Sequence, residues 1–423
     1  MSAPSSPIRI ADYRRFWLSR LFSVFATTSM VVLIGYQAYD IARADYGMSK
    51  SEAAFQLGLL GLAQFIPILL LTPVAGLAAD RFDRRKVAAA ANVVDASLAT
   101  LLAFLTTTGA LTLPILFIIA ASHGAARIFT MPAMTAIAPN IVPEALLPRA
   151  IALSSIAFQT GTVVGPAVGG LLYAAHAPVP HVLSAVLLLL SSLLVLSIKP
   201  LPPDPHSDLH PLRQIIEGVQ FTWKERFLLG CISLDLFAVL LGGATAMLPV
   251  FARDILQVGP EGLGLMRGAP ALGAAAVALL LSIKPIENNV GVKMLWAVVA
   301  FGAATILFGL SRNFVLSLGL LSLLGAADMV SVYIRSSLVQ LYTPNAMRGR
   351  VSALSGLAIS ASNELGEMQS GLAAAVLGVT GAVVFGGAGA IFVTALWAWL
   401  FPELRKARTF ATRFKESERE NPV

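Results

Sequence analysis

The stretch SNELGEMQSG (362–371) carries two carboxylates, Glu364 and Glu367, three positions apart. On a helix that spacing puts both on one face. The flanking runs VSALSGLAISA and LAAAVLGVTGAVVFGG contain no charged residue. An ionised side chain at the centre of a membrane segment costs about 2.5–3.5 kcal/mol on insertion. A carboxyl that is neutral when buried and ionised when wetted carries protons, and that is the chemistry expected of this pair, Glu364 first. The competing role is a structural acid bonded to Asn363, Ser362 or a neighbouring helix. Other apolar runs hold further groups of this kind. Asp328 and Arg335 lie seven apart, two helical turns along one face, and either line a cavity or pair with each other. His123 lies one turn before Arg127, Asp235 stands alone in its run, and Asp95 is expected to be structural. Tyr36, Gln37 and Tyr39 close the first run, as substrate contacts or as interfacial anchors.

The elements that must position these residues are apolar. Of 423 residues, 57% are hydrophobic and 13% charged, with a mean hydropathy of +0.77. A soluble domain carries about 25% charged residues, so the class expected is a polytopic membrane protein. Runs of about 20 apolar residues fall near 16–40, 53–79, 87–108, 114–138, 150–175, 180–198, 227–251, 263–283, 294–311, 314–341, 352–378 and 380–401. The fold class expected is therefore all-α integral membrane, with twelve transmembrane helices. The first run is too long for the apolar core of a signal peptide, about 7–15 residues, and is expected to be a retained helix. A Pro-rich linker and LRQIIEGVQFTWKER, spaced as an amphipathic surface helix, occupy 199–226. They separate a six-helix bundle at 1–198 from a second at 227–402, and a basic tail fills 403–423.

With the N-terminus inside, loops on the outer side hold only Arg43, Lys50, Arg253 and Arg312 of the 30 Lys and Arg. Four more, Arg20, Arg127, Arg267 and Arg335, lie within or at the edge of spans, and all others fall on the inner side. By the positive-inside bias both termini are cytoplasmic. The net charge of +7 thus reflects topology and anionic lipid rather than nucleic acid. The single cysteine, Cys231, excludes an intrachain disulfide. His176, His181, His206 and His210 are expected in loops without ligand spacing, so neither metal nor cofactor is implied. No phosphate-binding GxxxxGK[ST] motif and no HExxH occurs, which disfavours an ATP-driven pump or a membrane hydrolase.

VPEALLPRAIALSS (142–155) aligns with TPNAMRGRVSALSG (343–356) at an offset of 201, with Arg149 over Arg350 and Leu153 over Leu354. Both join a fourth span to a fifth from the same side, so the repeat is parallel and the two halves are pseudo-symmetric. The same offset sets Asp328 over Arg127, so polar groups at matched depth would face a central cavity. It also sets Glu364 and Glu367 over Val163 and Pro166, within the glycine-dense GTVVGPAVGG. There Gly161, Gly165 and Gly169, at four-residue spacing, favour close helix approach. One half has a packing face where the other has titratable groups.

GLAADRFDRRK (76–86) resembles the loop 2–3 signature of the major facilitator superfamily, and GTVVGPAVGG (161–170) resembles its antiporter motif. GYQAYDIA, GLAQFIPILLLTPVAGLAADRFDRR, IRSSLVQLYTPNAMRGRVSAL and SNELGEMQSG are similar to the enterobactin exporter-like branch. Ala78 stands where Leu is usual, and Asp83 where Gly is usual. The resemblance implies a gating loop at Gly76, Asp80, Arg81, Arg84 and Arg85, with Asp80 pairing in one conformation only. It implies a packing motif at Gly161, Gly165, Pro166, Gly169 and Gly170. It further implies a monomeric, proton-coupled antiporter of the inner membrane. Such a protein exports an amphipathic aromatic molecule, such as a catecholate siderophore or hydrophobic drugs, by alternating access. A lipid or lysophospholipid transporter on the same fold is the alternative.

Overall fold

The computed structural model describes residues 6–201 and 211–410, and their regular structure is all helical. That follows from the apolar runs, since a helix satisfies its own backbone groups where water is absent. The helices are α1 (Ala11–Ala44), α2 (Lys50–Arg81), α3 (Arg84–Thr108), α4 (Leu113–Ile141), α5 (Leu147–Ala175), α6 (Val179–Leu196), α7 (Pro211–Lys224) and α8 (Arg226–Leu241). After them come a single turn α9 (Leu248–Val250), α10 (Gly259–Ile283), α11 (Val290–Leu310), α12 (Phe314–Leu341), α13 (Asn345–Leu400) and the short α14 (Pro402–Lys406).

Among the described residues, eleven helical stretches are long and apolar enough to cross a membrane, against the twelve expected. The difference lies in α13, where the two last runs join. Its apolar part, Leu354–Leu400, has 47 residues, or about 70 Å at 1.5 Å per residue. Gly378 interrupts it with φ 72° and ψ 165°, a backbone conformation that only glycine adopts without strain. A second departure is in the seventh run, expected as one helix over 227–251. α8 stops at Gly242-Gly243, a 3₁₀ turn spans Ala244–Met247, and a π turn spans Phe251–Ile255. A glycine pair followed by Pro249 is a sufficient cause for such a break.

The chain divides into two compact units. One comprises Met1–Ser49, Leu59–His210 and Pro249–Gly268, and the other Lys50–Gly58, Pro211–Leu248 and Ala269–Val423. In the first, α1 packs on α5 and α6, and α3 on α4 and α6, around Tyr13, Phe16, Met134, Ile137 and Val195. Small polar residues tie its helices together. Ser23 donates to Asn92 Oδ1 (2.9 Å), and Asn92 Nδ2 donates to Ser191 Oγ (3.0 Å). In the second unit, α13 packs on α8 and α11 over a core that includes Phe227, Cys231, Met294 and Ile334.

Candidate functional site

In the second unit, Glu364 is 6% exposed and Glu367 half-buried. Glycines fix the helix that carries them. A methyl group added at Gly371 would stand 2.6 Å from Gly58 Cα, and one at Gly243 would stand 3.0 Å from the Gly366 carbonyl oxygen. The acidic stretch of α13 is thus pressed between the first turns of α2 and the broken end of α8. Ser370 Oγ also donates to the Gly243 carbonyl at 3.2 Å.

Arg335 does not pair with Asp328. It is 4% exposed and forms an ion pair with Asp235 on α8, itself 9% exposed. Seven residues along α12 separate Asp328 from Arg335 by about 10.5 Å of rise, whereas a neighbouring helix comes within contact distance. Asp328 is half-buried and makes no hydrogen bond or ion pair among the described residues.

In the first unit, His123 is wholly buried on α4, with Nδ1 2.9 Å from Asp95 Oδ1 on α3. It belongs to the interior of the bundle. Gln37 is also tied down: Nε2 donates to Thr106 Oγ1 (2.9 Å), and Oε1 lies 3.1 Å from His181 Nε2. His181 therefore corrects the loop expectation, since it is a buried residue in the first turn of α6. His176 follows α5 and is exposed; His206 and His210 lie outside the described residues. Tyr36 is 8% exposed and meets the Tyr173 ring edge-on at 5.7 Å. Arg127 is half-buried and lines a cavity of about 200 Å3 with Thr27, Thr28, Thr162, Pro166 and Arg267.

Glycines of the fifth helix meet α1 closely. A methyl group at Gly161 would stand 2.9 Å from Phe25 N, and one at Gly165 would stand 2.6 Å from Thr28 Oγ1. Gly169 faces Ser29, and Gly170 faces Pro260 and Gly264 at the start of α10. In the 76–86 loop, Gly76 is half-buried within α2 and Arg81 exposed. The side chain of Asp80 lies outside the described residues. Arg84 reaches the Ala136 carbonyl at 3.5 Å. Arg85 is 7% exposed and bonds both Asp83 carboxylate oxygens and the Leu196 and Ile198 carbonyls. Asp83 itself caps α3, accepting from Arg85 N at 3.0 Å. An Asp just before a helical run is a standard N-terminus signal, so this role was open to sequence reasoning.

A second charged group has no signature in the sequence. Asp254 accepts from Tyr39 Oη (2.6 Å) and Arg43 Nε (3.1 Å), and Asp40 pairs with Arg253 (2.8 Å). Charges over 200 residues apart leave no spacing signal.

Over residues 2–421 the chain matches the family described as transmembrane secretion effector. The enterobactin exporter EntS of Shigella boydii serotype 18 (strain CDC 3083-94 / BS512) is 26% identical over 410 residues, covering 94% of this chain and 93% of that protein. EntS of Escherichia coli O157:H7 (strain EC4115 / EHEC) matches to the same extent, 26% over 410 residues. Among solved structures, a bacterial homologue of the human lysosomal transporter Spinster, inward-facing and occupied, superposes with a TM-score of 0.73 at 16% identity. The match covers 96% of this chain and 99% of that one. A D-xylose–proton symporter gives 0.71 at 14% identity, over 96% and 100% of the two chains.

Proposed function

The chain belongs to the transmembrane secretion effector family of major facilitator transporters, and we propose that it is a proton-coupled antiporter exporting a small amphipathic molecule, first of all a siderophore. It is a multi-pass protein of the inner membrane. The substrate class follows the exporters it resembles along most of its length. In this proposal α13 crosses the bilayer twice, turning at Gly378, which gives twelve crossings with both termini inside. The protein acts as a monomer by alternating access.

The observation that carries the coupling is Asp328. Away from the first and last turns of the apolar helices, the aspartates among the described residues are Asp95, Asp235 and Asp328, and two of them have structural partners: Asp95 in His123 and Asp235 in Arg335. Asp328 has none among the described residues. A carboxyl in a membrane helix without a partner is tolerated when it exchanges a proton with water. In the proposed cycle Asp328, together with Glu364 and Glu367 on the next helix, takes up protons from outside. It gives them up inside, while substrate leaves in the other half of the cycle. Each proton entering down the membrane potential contributes about 2.3 kcal/mol per 100 mV, enough to support uphill export.

The test uses proteoliposomes with an internal pH dye and a panel of catecholates, hydrophobic drugs and lysolipids. Wild-type protein is expected to move protons when a catecholate is added. Asp328→Asn, and separately Glu364→Gln with Glu367→Gln, should each reduce that movement at least tenfold. Unchanged proton movement in the combined triple variant would sink the proposal.

A further inference from the structure

Arg20, in the first half of α1, carries a buried donor with nothing to receive its proton. Its Nε is shut off from solvent and has no hydrogen-bond partner, and its guanidinium makes no hydrogen bond or ion pair among the described residues. The Phe158 ring of α5 lies beneath it, with the guanidinium carbon 5.7 Å from the ring centroid. A ring face attracts the cation but does not neutralise it. A charged group buried without an acceptor is costly, and this one stands at the wall of a small cavity between α1, α4 and α5. The other polar groups of that wall are hydroxyls. Ser23 Oγ donates to Asn92 Oδ1, and Thr135 Oγ1 donates to the Met131 carbonyl, both at 2.9 Å. Thr130 Oγ1 meets the Ala126 carbonyl only at 3.4 Å, which is long for an O–H···O bond, so its proton is the one that can turn toward an occupant. Among the described lining residues there is no acid. The cavity therefore offers donors and a positive charge, and what it lacks is an anionic acceptor.

Size narrows the choice of acceptor. The cavity measures about 40 Å3, whereas one water occupies about 30 Å3 and a cavity of about 150 Å3 admits benzene. A planar carboxylate enters such a space; an aromatic ring does not, nor does a tetrahedral phosphodiester with its two ester arms. Any larger body attached to the carboxylate stays at the rim, where Met131 is 54% exposed. Met131 and Met134 give that side an apolar surface that adapts to irregular shapes. We propose that this cavity binds the carboxylate of an amphipathic molecule, with Arg20 as the charged donor and Thr130 as the neutral one. The chain and ring of that molecule lie over Met131, outside the cavity. The substrate class this gives the transporter is the amphipathic carboxylates, and that step rests on the transport proposal in taking the bound molecule as cargo.

Calorimetry on the purified full-length protein in a phosphate-free maltoside detergent, with no proton gradient, tests the site. The probes are 4-hexylbenzoate and its neutral isostere 4-hexylbenzamide. The benzoate is expected to bind about tenfold more tightly or better, as a charge-assisted pair requires. Arg20→Gln should erase that preference, and Arg20→Lys should retain part of it. Thr130→Val, which removes one neutral donor, should weaken the benzoate about threefold. A measurement that needs no variant is arginine modification by phenylglyoxal, read by mass spectrometry. The benzoate should slow modification of Arg20, and neither the benzamide nor added phosphatidylglycerol should do so. Protection by the phospholipid equal to that by the benzoate would assign the guanidinium to a lipid headgroup and overturn the site. Protection by none of the three would leave water as the occupant and overturn it equally, as would a benzoate preference that survives in Arg20→Gln. Selective protection by the benzoate without its export from liposomes would leave this site standing and count against the transport proposal. Proton-coupled export of a catecholate by a protein whose Arg20 no probe protects would do the reverse.

Discussion

Asp235 and Arg335 come from two helices of one unit and are both nearly excluded from solvent. Removing one member of such a pair leaves the other charged and buried, at a cost of about 3–5 kcal/mol, whereas replacing both by apolar residues of similar size is often neutral. Asp235→Ala and Arg335→Ala should therefore each lower unfolding stability strongly, measured as thermal midpoint in detergent. Asp235→Leu with Arg335→Met should recover most of the loss. Asp328→Asn removes no partner and is expected to stay within about 0.5 kcal/mol of wild type. A stability loss at Asp328 as large as that at Asp235 would show that it is held by a structural contact. The sequence made all three residues conspicuous, because charge inside apolar runs is easy to see. It did not show which acid Arg335 would choose, since spacing reports neighbours on one helix and says nothing of the helix opposite.

The link between α2 and α3 shows how an element boundary can be built by a residue that departs from its family pattern. Asp83 ends the loop as the N-cap of α3, and Arg85 fastens that cap to the carbonyl of Leu196, the last residue of α6. Partial burial pushes the Asp83 carboxyl up. The hydrogen bonds from Arg85 and the charges of Arg85 and Lys86 outweigh this and hold it below its ordinary value. A carboxyl lowered by folding stabilises the native state above its unfolded value, about 3.9. That contribution is lost as pH falls through the lower folded value. Asp83→Ala should cost about 1–2 kcal/mol at neutral pH. The gap in thermal midpoint from wild type should close as pH is lowered below about 4; a gap that is constant with pH would mean the carboxylate charge contributes nothing. Elements of this kind were largely legible. Apolar length located the helices, and the glycines at 242, 243 and 378 mark the two places where the expected runs and the observed helices differ. Length alone cannot tell two crossings from one long helix when a single glycine separates them.

At the scale of the molecule, neither compact unit is one continuous half of the chain. Pro249–Gly268 belongs with the unit that holds α1, and Lys50–Gly58 belongs with the unit that holds α13. The offset-201 repeat divides the chain by sequence, but tertiary contacts assign segments by what they touch. For Pro249–Gly268 those contacts include the charged group around Asp254. Arg43 and Tyr39 bind Asp254, and Asp40 binds Arg253. Exposed ion pairs contribute about 0.2–1 kcal/mol each, and a hydrogen bond to a charged group about 1.5–3 kcal/mol, so the group is a real share of a marginal stability. A fragment ending at His210 retains α1 to α6 but lacks every residue of 249–268. It is expected to melt well below the intact chain when expressed alone, and to regain stability when the complementary fragment from Pro211 onward is co-expressed. Charge reversal in the intact chain makes the cause specific. Asp40→Arg should lower the thermal midpoint, and adding Arg253→Asp should restore most of it, because the pair is re-formed with opposite sense. If the single and double variants melt alike, packing around α1 and not this charge pair secures the segment.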